Sequence, residues 1–61
     1  MNDFTYKIES VSQLDDFQHF YNERGLCQVL EILEPIDSYK CEVIETEEVF
    51  YLEIGDRISL N

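Results

Sequence analysis

The 61-residue chain predicts an α+β fold: one N-terminal helix followed by an antiparallel β-meander, in a single domain over 1–61. Three observations carry this. Apolar residues recur at helical spacing only between about 12 and 24. From Leu26 onward their period changes to two. Breaks at Pro35, at Thr46-Glu47 and at Gly55 then divide the rest into runs of strand length.

Ahead of the helix, Phe4, Tyr6 and Ile8 alternate with Thr5, Lys7 and Glu9, the pattern of a half-buried strand. Ser12 followed three residues later by Asp15 forms an N-cap signal, with Ser10 and Gln13 as an alternative frame. Asp15 and Asp16 suit the positive end of a helix dipole. Leu14, Phe17, Phe20 and Tyr21 fall on one helical face. Arg24 stands at the negative end, and Gly25 fits the left-handed residue that ends a helix. These signals place the helix over about 12–24.

The meander consists of runs 26–34, 38–45 and 48–54, closed by a tail run 57–60. Turns centred on Ile36-Asp37 and Thr46-Glu47 set a register, because directly opposed residues of antiparallel strands share a face. One face then stacks Leu30, Val43 and Phe50, next Ile32, Cys41 and Leu52, and last Tyr39 and Ile54. This is the expected core, covered by Leu14, Phe17 and Tyr21 or by closure of the sheet with Phe4, Tyr6, Ile8, Ile58 and Leu60.

The other face carries Val29, Ile44 and Val49 in one row, Glu31, Glu42 and Tyr51 in the next, and Leu33, Lys40 and Glu53 in the last. Lys40 beside Glu53 reads as an ion pair. Glu31 opposite Glu42 reads as a like-charge pair, costing about a few tenths of a kcal/mol if both side chains splay into water. The alternative use of that arrangement is a docking face for a basic, partly apolar protein surface. The expected partner-binding residues are Glu31, Glu42, Tyr51, Glu53, Val29, Ile44 and Val49.

Charge narrows the partner. Fourteen Asp and Glu against four Lys and Arg give a formal net charge of −10. That field repels nucleic acid and anionic membrane, and speeds association with a basic protein. Acidity as a solubility device is the bland alternative. The 44% hydrophobic and 13% aromatic content is that of a folding chain rather than a disordered one. No signal-peptide apolar region follows Met1, since Asp3, Lys7 and Glu9 interrupt it, and no run is long enough to span a bilayer. Cys27 and Cys41 lack framework or CxxC spacing and read as reduced core residues of a cytoplasmic protein.

Catalysis finds no support. The single histidine, His19, falls off the apolar helix face with Asp15 one turn away and no third orienting group. The cysteines lie among apolar and acidic residues that raise a thiol pKa. Zinc spacing, a calcium loop and a phosphate loop are all missing from the sequence, and Glu45, Glu47 and Glu48 read as a solvated acidic turn. No enzyme activity, cofactor or metal is expected.

From Gly25 to the end, the order of runs resembles the hairpin core of small SH3-like domains. The resemblance rests on a strand with Val29, Ile32 and Leu33, then Tyr39-Lys40-Cys41-Glu42-Val43, an acidic turn, Val49-Phe50-Tyr51-Leu52, and a closing Asp56-Arg57-Ile58-Ser59-Leu60. It implies closure of the meander into a small bent barrel. The helix over 12–24 departs from that family, and the aromatic cluster that binds proline-rich peptides is missing, so no peptide-ligand function comes with it. Size and charge alone resemble small acidic phage or mobile-element proteins, which implies an inhibitor or regulator occupying the basic site of a nucleic-acid-handling protein. A structural or adaptor module that docks or forms a homodimer through the apolar part of the sheet face is the alternative.

Overall fold

The structure, a computed structural model, describes residues 4–60. It is nearly all β. Among the described residues six strands run in chain order: β1 (Tyr6–Lys7), β2 (His19–Asn22), β3 (Gly25–Leu33), β4 (Ser38–Val43), β5 (Val49–Glu53) and β6 (Arg57–Ile58). Strands β2-β3-β4-β5 form one antiparallel sheet, and β1 pairs with β6 in a second. One 3-10 turn, Glu34–Ile36, joins β3 to β4, started by Pro35 and ended by Asp37 in the left-handed region at φ 52°.

The N-terminal helix expected over 12–24 is not formed. Residues 9–18 are a loop in which side chains take several of the backbone groups that a helical ladder would use, and Phe17 and Gln18 bond to the Val29 backbone. The Gln13 side-chain oxygen takes the Glu9 and Ser10 N–H groups, the latter at 2.8 Å. The Tyr39 hydroxyl accepts the N–H groups of Gln13 and Leu14 at 3.1 Å each and donates to the Ser10 carbonyl at 2.9 Å. Gln18 accepts the Asp15 N–H at 2.9 Å. Residues read as a cap and first helical turn are therefore turn-formers.

Phe20 and Tyr21 belong to β2, and Gly25 closes a hairpin rather than a helix. Asn22 pairs with Gly25 across a two-residue loop, Glu23-Arg24. The Asn22 side chain accepts the Arg24 N–H at 2.8 Å, and Gly25 adopts φ 111°, which a side chain would strain.

Leu30 sits in a bulge of β3, where the register against β4 shifts between Val29 and Glu31. The extra residue bends the strand and turns Cys27 and Val29 inward. The core is made of Ile8, Leu14, Phe20, Cys27, Val29, Tyr39, Cys41, Val43, Phe50, Leu52 and Ile58. Phe20 meets Phe50 edge-on, ring centroids 6.4 Å apart, in the orientation aromatic quadrupoles favour. Of the expected core residues, Ile32 and Leu30 are half-buried and Ile54 is exposed. Phe17 is 65% exposed, so it does not cover the core.

Neither sheet closes into the small barrel expected for an SH3-like chain. The sheets are linked by one bridge, in which Tyr21 and Ser59 exchange N–H to carbonyl bonds of 2.7 and 2.9 Å. The turn after β5 joins β1 through Ile8, whose N–H donates to Asp56 and whose carbonyl accepts from Gly55, both at 2.8 Å. Among the described residues β5 has no strand on its outer side, so a seam stays open between β5 and the β2–β3 turn.

Candidate partner-binding face

The outer face of the β3-β4-β5 sheet gathers most of the expected residues in a different order. Glu31 stands opposite Lys40, and Lys40 opposite Tyr51. Glu42 stands between Gln28 and Val49, with the Gln28 side-chain amide donating to its carboxylate at 2.9 Å. Ser38 lies between Leu33 and Glu53. Glu31 and Glu42 are thus not a like-charge pair, and Lys40 does not face Glu53.

The reason is a displaced register. Between the hydrogen-bonded Val43 and Glu48, the β4–β5 connection is a four-residue loop, Ile44 to Glu47. In it Glu47 takes φ 63°, its N–H reaches the Val43 carbonyl at 2.7 Å, and the Val43 N–H reaches Glu48 at 2.8 Å. This longer loop moves the β4–β5 pairing by two residues from that of a tight turn, and the 3-10 turn of residues 34–37, closed by Leu33 opposite Ser38, moves the β3–β4 pairing of Glu31 likewise. A shift of two keeps every side chain on its face, so Glu42, Val49, Tyr51 and Glu53 remain together. The β3 bulge has the opposite effect on Val29, which is fully buried in the core. Ile44 lies just beyond β4, part-exposed, its N–H bonded to the Leu26 carbonyl at 2.9 Å. The apolar row of Val29, Ile44 and Val49 does not exist as a surface.

What remains is a charged face with an exposed pair at its β5 edge: Val49 is 48% and Tyr51 50% exposed. Glu31 and Glu53 are exposed around them, and Glu42 is half-buried and held in place by Gln28.

A second feature went unread in the sequence. A cavity of about 240 Å³ occupies the open seam, lined by the β2–β3 turn with Arg24, by Phe50, Tyr51 and Leu52 of β5, and by Arg57. The Arg24 guanidinium lies over the Phe50 ring, 4.5 Å from its centroid. Arg57 stands opposite Lys7 across the β1–β6 pair. Two of the four cations thus line the cavity, with a third, Lys7, opposite one of them. The turn signature Asn22-Glu23-Arg24-Gly25, read as a hairpin, was the available clue.

His19 is exposed on β2, and both cysteines are buried and reduced. Burial pushes the Cys41 thiol up to about 12, with the Cys27 thiol adding to it and a Leu52 backbone hydrogen bond opposing. Burial also raises Cys27, against the lowering influence of Arg24. Among the described residues no group of three or more His, Cys, Asp or Glu side chains could hold a metal, and no helix is long and apolar enough to cross a membrane. The chain matches no protein-family model, no curated protein and no solved structure.

Proposed function

We propose that this chain is a non-enzymatic acidic binding protein that occupies the basic site of a nucleic-acid-handling protein. The observation that carries the proposal is the outer sheet face. Val49 stands beside Glu42 and Tyr51 lies between Val49 and Glu53 along β5, with Lys40 opposite Tyr51 and Glu31 beyond it, on a surface the core does not use. The carboxylates and the field of a −10 chain steer it to a basic surface. Tyr51 and Val49 supply the desolvated contact area that charge alone does not provide.

The test is displacement. A partner captured by the chain should be released by short nucleic acid added in excess, and capture should weaken as salt rises. A partner held equally in the presence of nucleic acid would exclude occupation of its nucleic-acid site. Self-association through Val49 and Tyr51 is the second reading, favoured by their exposure on an edge strand. Sedimentation equilibrium at micromolar concentration separates the two, since a strict monomer removes the second.

A further inference from the structure

We infer that the groove along the open edge of β5 takes an extended peptide segment bearing an acidic side chain, added as a further strand. The edge is available. The Val43 N–H bond to Glu48 fixes which pairs of the β4–β5 ladder exchange hydrogen bonds, and by alternation these include Cys41 with Phe50 and Tyr39 with Leu52. The N–H and carbonyl groups of Val49 and Tyr51 therefore point away from β4. Glu53 does not extend that edge, because its N–H is taken by the Asp56 carboxylate at 2.9 Å. A strand laid there meets the outward groups of Val49 and Tyr51, the geometry of strand addition.

The groove specifies the side chain. Residues of the added strand opposite Phe50 or Leu52 face inward, toward Arg24 and Arg57. Stacking on Phe50 holds the Arg24 guanidinium in place; its Nη1 reaches Glu23 at 3.4 Å, and its other in-plane N–H groups remain for a carboxylate. Arg57 has no carboxylate within 4.0 Å among the described residues and faces Lys7, an unfavourable like-charge neighbour that a bound anion would relieve. The two acids that also line the groove are engaged, Asp56 by the Glu53 N–H and Glu23 by Arg24 at 3.4 Å. A second copy of the chain is the poorer occupant, because two bodies of −10 repel. The β5 edge shares Val49 and Tyr51 with the proposed docking face but recruits the opposite charge, and strand addition there does not depend on that face.

The probe is the peptide acetyl-Thr-Val-Glu-Val-Thr-amide, compared with its Gln counterpart in an NMR titration of the isotope-labelled chain. The expected result is saturable shifts at the Val49 and Tyr51 amides and at the Arg24 and Arg57 side chains. Binding should be about tenfold weaker for the Gln peptide, and about tenfold weaker for Arg57→Gln with the Glu peptide, the loss of one charge-assisted contact. Arg57 is exposed, so this variant folds as the parent does. Equal affinity for the two peptides, or no saturable shift at Val49 and Tyr51, overturns the inference. So does concentration-dependent broadening at those amides without peptide, which would assign the edge to a second copy.

Discussion

The hydroxyl of Tyr39 holds the backbone of Leu14 across 25 residues of sequence, accepting its N–H at 3.1 Å in the core. The same oxygen accepts the Gln13 N–H and donates to the Ser10 carbonyl, so both lone pairs and the proton of one phenol are used. The 9–18 loop is thereby built around a β4 side chain, and Leu14 is delivered to the core without a helix.

Tyr39→Phe should accordingly cost more than one ordinary hydrogen bond. It leaves three backbone groups without their partner, one of them buried, for a loss of about 2–3 kcal/mol. Urea unfolding should show a lower midpoint at unchanged slope, and hydrogen exchange at the Leu14 and Gln13 amides should accelerate beyond the global loss. A shift within the error of the midpoint would mean that the loop is held by other contacts.

Phe17 and Gly25 should respond in opposite directions. Phe17 occupies a bulge opposite Val29, where its N–H reaches the Val29 carbonyl at 2.8 Å and the Val29 N–H reaches Gln18 at 3.0 Å. Its φ is 63° while its ring is exposed, so the residue is strained with little burial to offset it. Phe17→Gly should stabilise the fold by about 1 kcal/mol. Gly25→Ala should destabilise it by about 1 kcal/mol or more. No atom lies within 4 Å of the added methyl, so that loss is conformational rather than a clash. Denaturant midpoints of both variants check the signs.

The thiols predict an alkaline limit. In the unfolded chain both cysteines ionise near 9.0, whereas the folded state holds Cys41 protonated to about 12 and raises Cys27 in the same direction. Above the unfolded value the unfolded chain binds fewer protons, so stability is fully present below about pH 9 and is lost as pH rises toward 12. Urea midpoints should fall across that window. At neutral pH neither thiol should react with a disulfide reagent until denaturant is added, and rapid native labelling of Cys41 would contradict its burial.

Strands β3, β4 and β5 are legible because period-two alternation is local, and the inward set Tyr39, Cys41, Val43, Phe50 and Leu52 survives a wrong register because the error is two residues. Leu30 broke that protection. A bulge adds one residue, an odd shift, and Val29 moved from the expected docking face to the core. The helical pattern over 12–24 misleads for a different reason. Leu14, Phe17, Phe20 and Tyr21 match a helical period, and a glycine with positive φ ends helices and closes hairpins alike. What decides between them is the Tyr39 hydroxyl, which no local pattern around residue 14 reveals. The seam beside β5 was hidden for the same reason, since Arg24 and Arg57 meet only in the folded chain.

The docking face is tested most directly by separating the position of charge from its amount. Capture from a lysate of nucleic-acid-handling cells, quantified by mass spectrometry, should compare the parent chain with Glu31→Lys/Glu42→Lys and with Asp15→Lys/Asp16→Lys. The two variants have equal net charge, but Asp15 and Asp16 are exposed positions of the 9–18 loop. A nucleic-acid-handling protein retained by the parent should be lost with the sheet-face variant and kept with the loop variant. Equal loss in both, or retention in both, would show that the outer face of β3 and β4 is not where the partner docks.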